Sequence, residues 1–164
     1  MTPSPATHVY LIDNIDTDRI IPGKYTKTLD TSALAAHVLE DLDPEFARKV
    51  RPGDILVAGS NFGCGSSREQ APIALKAAGV SVVIARSFAR IFYRNAINIG
   101  LPVVEVEQHN IQPGDSVSVD LPNGLVINHA RGETYRAAPM PRQMMNILNA
   151  GGLVNYLLQQ GDYV

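Results

Sequence analysis

Short apolar runs recur along the first two thirds of the chain, separated by turns rich in glycine, proline and aspartate. Four of these runs are typical of strands, namely 9–12, Ile55–Ala58, 80–85 and 101–106. Four other segments have helical composition or spacing, namely 32–40, 43–50, 71–78 and 87–98. The order strand, loop, helix, strand over 55–85 predicts a βαβ unit with parallel strands and a right-handed crossover.

The last third of the chain has a different pattern, in which strands follow one another directly. Residues 116–121 alternate between apolar and polar, as in a half-buried strand, and Pro-Asn-Gly at 122–124 signals a hairpin. Further strands are predicted at 125–128 and 135–137, and helices at 141–150 and 153–158. We therefore expect an α/β fold with a βαβ core and a later β-rich section, as one domain over 1–164.

The segment 87–98 predicts an amphipathic helix that follows the second strand of the βαβ unit. Ser87 is the expected N-cap, because a serine hydroxyl can accept a hydrogen bond from a free N–H group of the first turn. Three apolar residues are spaced to face the core: Phe88, Ile91 and Phe92. Arg90 and Arg94 lie four residues apart and therefore share a face of the helix.

The segment 59–70, GSNFGCGSSREQ, lies between the strand Ile55–Ala58 and the helix 71–78. Its three glycines let the backbone turn tightly, because glycine tolerates positive φ. The turn delivers Ser66, Ser67 and Arg68 to the helix N-terminus, where free N–H groups and the helix dipole favour an anion. Two hydroxyls beside a guanidinium suit a carboxylate or a phosphate, which arginine can bind with two parallel hydrogen bonds.

The residues of this loop leave three interpretations open: a structural turn, an anion site, or a catalytic loop in which Ser66 moves a proton. The spacing matches neither a P-loop nor Gly-x-Gly-x-x-Gly. Ser66 needs a neighbouring base, or positive charge and oriented N–H groups that stabilise its alkoxide. Three histidines could approach it in space: His37, His109 and His129. For Cys64 we prefer packing to a role as a thiol nucleophile.

The polar segment 13–28 follows the first strand. Its three aspartates lack the glycine and glutamate spacing of an EF-hand, so calcium binding is rejected. They are expected to cap turns, although Asp18 could instead form an ion pair with Arg19. In the cationic stretch 24–28, Lys24 is expected to be solvated and Lys27 to contact an anionic ligand.

Composition narrows the function classes. With 14 lysines and arginines against 16 aspartates and glutamates, the formal net charge is -2, which gives no reason to expect a nucleic acid partner. The single cysteine excludes an internal disulfide and argues against a metal site built from this chain's own thiolates. The N-terminus lacks a signal-peptide pattern, and no apolar run reaches the roughly 20 residues that span a bilayer. We expect a cytoplasmic protein that does not bind membranes.

Three motifs, in this order, resemble the swivel domain of the aconitase superfamily in its free-standing form, the small subunits of 3-isopropylmalate dehydratase and homoaconitase. They are NIDTDRIIP at 14–22, GCGSSREQA at 63–71 and SFARIF at 87–92. The resemblance runs from about residue 9 to 105 and implies a swivelling β/β/α fold. It implies a hydro-lyase that dehydrates and rehydrates a 2-hydroxy di- or tricarboxylic acid, such as the conversion of 2-isopropylmalate to 3-isopropylmalate in leucine biosynthesis.

The resemblance also implies roles for individual residues. Ser66 matches the serine that abstracts the substrate proton, and Ser67 and Arg68 match residues that hold a substrate carboxylate. Asp18 and Lys27 match a contributing aspartate and basic residue, and the stretch 24–28, which includes Thr28, matches the segment that reads the substrate's variable side chain. Here it is Tyr-Thr-Lys-Thr where related enzymes often have Tyr-Leu-Arg-Thr, so the substrate stays open.

The resemblance places the four-iron–four-sulfur cluster and its cysteine ligands on a large subunit. This chain would then bind no metal itself and would be active only in a heterodimer or heterotetramer with that partner. Two alternatives remain beside this hypothesis. One is a non-catalytic carboxylate-binding module that uses the same loop, and the weaker one is a Cys64 thiol enzyme.

Overall fold

A parallel sheet of four strands carries the first two thirds of the fold. In this computed structural model, which describes residues 5–28 and 30–160, the strand order is β1-β2-β3-β4. The strands are β1 Thr7–Tyr10, β2 Ile55–Ala58, β3 Val82–Ala85 and β4 Val103–Glu105. All residues of β2 and β3 are buried, as their apolar sequences predict for central strands. The expected parallel βαβ pairing is confirmed by the register Ile55 to Val82.

The β-rich section forms a separate antiparallel sheet of three strands in the order β5-β6-β7. These strands are β5 Val117–Asp120, β6 Leu125–Asn128 and β7 Glu133–Arg136. The hairpin predicted at 122–124 joins β5 to β6, with Asp120 opposite Leu125. The predicted strand at 135–137 is present but begins two residues earlier.

Seven α-helices are described, together with a 3-10 turn at Gly23–Tyr25. They are α1 Thr17–Ile20, α2 Thr31–Ala36, α3 Phe46–Lys49, α4 Gln70–Ala78, α5 Arg90–Asn98, α6 Arg142–Ala150 and α7 Leu153–Gln160. Among the described helices, none is long and apolar enough to cross a membrane. The helix expected at 71–78 is confirmed as α4, and Gly79 ends it with a φ of 114°.

Two apolar clusters lie on opposite faces of the parallel sheet. One packs the sheet against the helices and contains Leu56, Phe62, Leu75 and Phe92 among its buried members. The other contains side chains of both sheets, including Val57, Ile84 and Val104 from the parallel sheet and Val117 and Val126 from the antiparallel one. The antiparallel sheet therefore covers the face of the parallel sheet that the helices leave open, giving a mixed α/β fold.

Helix α5 differs from the helix predicted at 87–98. It begins at Arg90, its N-cap position is Ala89, and Ser87 is not the N-cap because its hydroxyl accepts a hydrogen bond from Asn61 N at 2.8 Å. Phe88 and Phe92 are buried as expected, but Ile91 is 55% exposed. The error arises because Phe88 precedes the helix, so its spacing to Ile91 does not define a helical face.

Candidate active site

Three loops meet at the carboxyl edge of the parallel sheet, where ligands bind in many open α/β sheets. They follow β1, β2 and β3, and backbone hydrogen bonds join them. Gly63 N donates to Ile15 O at 2.8 Å, and Thr17 N donates to Cys64 O at 2.9 Å. On the other side of the central loop, Phe62 N donates to Ser87 O at 3.1 Å. The segment 59–70 is therefore held by both neighbouring loops.

Glycine is required within this loop for two reasons. Gly63 has a φ of 83° and Gly65 a φ of 90°, which side-chain-bearing residues rarely adopt. A Cβ atom at Gly63 would also lie 2.2 Å from the Phe92 ring. The glycines thus let the loop pass against α5 and turn toward the start of α4.

The turn brings Ser66, Ser67 and Arg68 to the edge of a cavity of about 200 Å³. Both serines are exposed, and the Thr17 hydroxyl donates to Ser66 O at 2.8 Å. The rest of the cavity wall belongs to α1, the glycine loop and α5: Thr17, Gly63, Gly65, Ala89, Arg90, Ile91, Phe92 and Asn95. The prediction that these three residues of the loop lie together before α4 is confirmed in geometry, and their chemical roles stay predictions.

Arg68 is held by an ion pair with Asp18 rather than standing alone. Its guanidinium donates to Asp18 Oδ1, so the alternative pairing of Asp18 with Arg19 is wrong. The Arg68 side chain is only 23% exposed and passes over Gly23, where a Cβ atom would lie 3.1 Å from an Arg68 nitrogen. Asp18 thus orients the guanidinium at the edge of the cavity that Ser67 also lines. Of the three aspartates expected to cap turns, Asp16 does so, because its carboxylate accepts a hydrogen bond from Arg19 N at 2.9 Å.

The cationic stretch 24–28 lies next to this site without lining its cavity. Gln70 Nε2 of α4 donates to Thr26 O at 3.2 Å, which ties the stretch to the start of that helix. Lys27 is exposed, and Thr28 Oγ1 accepts from Asp30 N at 3.0 Å. The residues described along the cavity wall include neither Lys27 nor Thr28. Lys24 lies over the ring of Tyr25, with 5.1 Å from its nitrogen to the ring centroid.

The three candidate histidines have other neighbours. His37 stacks on Tyr25 with centroids 3.8 Å apart, and His129 shares a 2.8 Å hydrogen bond with the Ser118 hydroxyl. Burial and the nearby Arg86 cation lower the pKa of His109, whose ring packs against Tyr135. The described wall of the cavity contains two arginines, Arg68 and Arg90, and no histidine, so it offers Ser66 positive charge rather than an imidazole base.

Sequence reasoning missed the contribution of α5 to the site. Arg90 and Asn95 line the same cavity as Ser66, and Arg90 also lines a second cavity of about 350 Å³. The second cavity lies between α5, β4 and the antiparallel sheet, with Arg94, Glu105 and Asp120 in its wall. Two sequence signals pointed to this segment, the spacing of Arg90 and Arg94 and the motif at 87–92. Neither gave Arg90 a role, because its contact with a loop some twenty residues away is tertiary.

Fold and site together define the class of protein. Residues 6–109 match the model of the aconitase C-terminal domain, and the chain belongs to this family. This match spans all four strands of the parallel sheet and both sides of the candidate active site.

Its relatives include proteins named as small subunits of 3-isopropylmalate dehydratase and of homoaconitase. The chain is 63% identical to the 3-isopropylmalate dehydratase small subunit of Caldicellulosiruptor bescii, over 88% of this chain and 89% of that one. It is 58% identical to the methanogen homoaconitase small subunit of Methanothermobacter thermautotrophicus, over 92% of this chain and 88% of that one. The crystal structure of 3-isopropylmalate dehydratase from Methanocaldococcus jannaschii superposes with a TM-score of 0.91 at 46% identity, covering 96% of this chain and 94% of that one. These matches confirm the resemblance seen in the three motifs.

An iron–sulfur cluster does not fit this chain's own residues. Such a cluster is held by several cysteine thiolates, and the sequence contains one cysteine, Cys64. Within residues 5–28 and 30–160, no three histidine, cysteine or acidic side chains lie close enough to hold a metal ion. We therefore assign no step of the chemistry on this chain to a cluster.

Proposed function

We propose that this chain is the small subunit of a hydro-lyase that interconverts 2-isopropylmalate and 3-isopropylmalate by loss and return of water. The observation that carries the proposal is the cavity in which Ser66 and Ser67 lie beside an Arg68 oriented by Asp18. The names of the relatives support the reaction class, and the family match covers the whole site. The parallel sheet and the antiparallel sheet act as one swivel-type domain in this proposal, because they share a buried cluster.

Ser66 is the proposed proton carrier. Removing a proton from the carbon next to a carboxylate requires a base, and a serine serves only if its alkoxide is stabilised. Ser66 stands four residues before α4, whose N-cap position Glu69 makes no side-chain cap, so the positive end of the helix dipole favours negative charge on that side. The Arg68 guanidinium adds a cation to the same turn. In the return step the Ser66 hydroxyl gives its proton back to carbon.

Arg68 and Ser67 are proposed to hold a substrate carboxylate. Arginine and a hydroxyl can together bond both oxygens of a carboxylate, which fixes the carbon to be deprotonated relative to Ser66. Asp18 acts through Arg68 by setting the plane of its guanidinium. Lys27 and Thr28, which lie on the stretch tied to α4 by Gln70, are proposed to contact the variable end of the substrate.

Removal of the hydroxyl is proposed to depend on a large subunit in a heterodimer or heterotetramer. This chain's described site contains no imidazole or carboxylic acid placed to protonate a leaving hydroxyl. The relatives are named small subunits, which supports the existence of such a partner. We assign the four-iron–four-sulfur cluster to that partner, in keeping with the one cysteine of this chain.

The first experiment replaces Ser66 by alanine in the complex with the large subunit. We expect kcat for 2-isopropylmalate to fall by about 10²- to 10⁴-fold, the range for loss of a positioned acid or base. The matched control is Ser60→Ala, which removes a hydroxyl from the same loop outside the Ser66 cavity and leaves kcat unchanged. Turnover that survives in Ser66→Ala would disprove the catalytic role.

Homoaconitase chemistry is the second candidate for the substrate. The 58% identity to a methanogen homoaconitase small subunit favours it almost as much as the dehydratase relatives favour isopropylmalate. Comparison of kcat/KM for 2-isopropylmalate, homocitrate and dimethylmalate-type acids on one preparation of the complex decides between them. The acid with the highest kcat/KM identifies the substrate.

A carboxylate-binding module is the alternative from another class. It uses the same Ser67 and Arg68 but requires no partner. Calorimetry of the isolated chain with 2-isopropylmalate distinguishes this module from the enzyme subunit. Tight, Arg68-dependent binding without the large subunit favours the module, whereas weak binding that strengthens in the complex favours the enzyme.

A further inference from the structure

A second arginine faces the cavity that contains Ser66. Arg90 is the first residue of α5, and its side chain is exposed at the junction between the 200 Å³ cavity and the neighbouring 350 Å³ cavity. No ion pair joins Arg90 to another residue within 5–28 or 30–160. Its charge is therefore available to a ligand.

The charge balance of the site favours a role for this second cation in binding a dianion. Arg68 is the cation of the glycine loop, and Asp18 already neutralises it. The chain as a whole carries a net charge of -2, so its overall field gives a dianion no attraction. Of the described residues in the wall of the Ser66 cavity, only Arg68 and Arg90 carry a charge, and Arg90 is the one without a carboxylate partner.

We propose that Arg90 binds the second carboxylate of a dicarboxylate substrate, while Arg68 and Ser67 bind the first. This assignment rests on the proposed function, because it takes the substrate to be a 2-hydroxy dicarboxylic acid. It makes α5 a substrate-binding element, held against the glycine loop by the close packing of Gly63 on Phe92. Two carboxylates held at two points fix the orientation of the carbon chain over Ser66.

Arg94 provides a matched control on the same helix. It lies one helical turn after Arg90, is likewise exposed, and lines the larger cavity but not the Ser66 cavity. Arg90→Gln and Arg94→Gln remove the same charge from the same helix. Only the first removes it from the proposed carboxylate site.

The test measures kinetics of the complex with the large subunit. Arg90→Gln is expected to raise KM for 2-isopropylmalate by about 10- to 100-fold, the cost of losing a charge-assisted hydrogen bond, with a smaller change in kcat. Arg94→Gln leaves both constants near the wild-type values, and Arg90→Lys restores part of the loss because it keeps the charge. Equal effects of Arg90→Gln and Arg94→Gln would overturn the proposal.

The two half-amides of 2-isopropylmalate give a readout that a structural role of Arg90 would not move. Each half-amide replaces one carboxylate by a neutral group and is tested as a competitive inhibitor. If Arg90 binds one carboxylate, the half-amide that lacks this carboxylate inhibits wild type and Arg90→Gln equally. The other half-amide keeps that carboxylate and therefore inhibits Arg90→Gln less strongly than wild type. Equal losses for both half-amides, or weaker assembly with an unchanged KM, would contradict the assignment.

A binding measurement separates this inference from the proposed reaction. Calorimetry compares 2-isopropylmalate binding to the Ser66→Ala complex with binding to the complex that carries Ser66→Ala and Arg90→Gln together. If the wild-type complex shows no turnover but binding still depends on Arg90, the proposed reaction is wrong and the carboxylate site is supported. If the wild-type complex turns over but binding does not depend on Arg90, the Arg90 carboxylate site is wrong and the proposed reaction stands.

Discussion

At the scale of single residues, Gly63 is the position where the site and the fold constrain each other most tightly. Its φ of 83° and the 2.2 Å that would separate a Cβ atom from Phe92 exclude any side chain without rearrangement. We expect Gly63→Ala to lower the free energy of unfolding by about 2 to 5 kcal/mol, from backbone strain and overpacking together. Urea unfolding followed by circular dichroism measures this loss.

Gly114 supplies the control for that experiment. It has the same φ of 83°, but no atom lies within 4 Å of the position of its Cβ. Gly114→Ala therefore carries the strain without the clash and is expected to cost about 1 to 2 kcal/mol. If both variants lose the same stability, the packing of the glycine loop against α5 is not as the structure describes.

The sequence could predict the turn at Gly63 but not its neighbour. Closely spaced glycines predict positive φ, because the backbone requirement is local. The contact with Phe92 lies 29 positions further along the chain, and the ion pair between Asp18 and Arg68 spans 50. Local spacing favoured Arg19 as the partner of Asp18, and only the packing of three loops at one sheet edge brought Arg68 closer.

At the scale of elements, Asp115 anchors the antiparallel sheet to the parallel one. Its carboxylate accepts hydrogen bonds from Gln112 N, Asn128 Nδ2 and Arg131 Nε, each at 2.9 Å. Its backbone oxygen accepts from the Thr7 hydroxyl of β1 at 2.7 Å. One residue therefore connects β1, the approach to β5 and the end of β6.

The hydrogen bonds to Asp115 make the stability of this junction depend on pH. The Asn128 amide, the Gln112 N–H group and Arg131 lower the pKa of Asp115 in the folded state. A lowered folded pKa means that the contribution is fully present above the ordinary aspartate value of about 3.9 and is lost as the pH falls through the lower folded value. We expect Asp115→Asn to reduce the difference in unfolding free energy between pH 6 and pH 3.

Asp41→Asn is the comparison for that pH series. Asp41 is exposed, and its side chain makes no hydrogen bond or ion pair to the residues of 5–28 and 30–160. Its replacement is expected to leave the pH dependence of unfolding as in wild type. A wild-type pH profile in Asp115→Asn would show that the carboxylate is not the anchor.

Elements were predicted best where burial alone decides them. The four apolar residues of β2 and the alternation along β5 follow directly from the faces that each strand buries. The start of α5 was predicted wrongly because Ser87 has two possible uses for its hydroxyl, a helix cap or a bond to Asn61 in the neighbouring loop. A prediction from local capping patterns does not identify that second partner, because Asn61 lies in another loop.

At the scale of the whole molecule, the candidate site is open on one side. Ser66 and Ser67 are exposed, and Ile91, which lines the same cavity, is 55% exposed. Electrostatic stabilisation of an alkoxide weakens in contact with bulk water, because a high dielectric screens the nearby charges. A partner that closes this side would therefore both exclude water and strengthen the effect of Arg68 on Ser66.

The openness of the site predicts how activity depends on subunit ratio. A fixed amount of large subunit titrated with this chain should show turnover of 2-isopropylmalate that rises to a plateau at one chain per large subunit, the ratio in either a heterodimer or a heterotetramer. Neither subunit alone should exceed background, because the proposed function assigns the proton carrier to this chain and removal of the hydroxyl to its partner. Ser66→Ala should bind with the same stoichiometry in analytical ultracentrifugation and give a plateau lower by about 10²- to 10⁴-fold. Turnover by the isolated chain, or full activity of the large subunit without it, would contradict the division of the active site between two polypeptides.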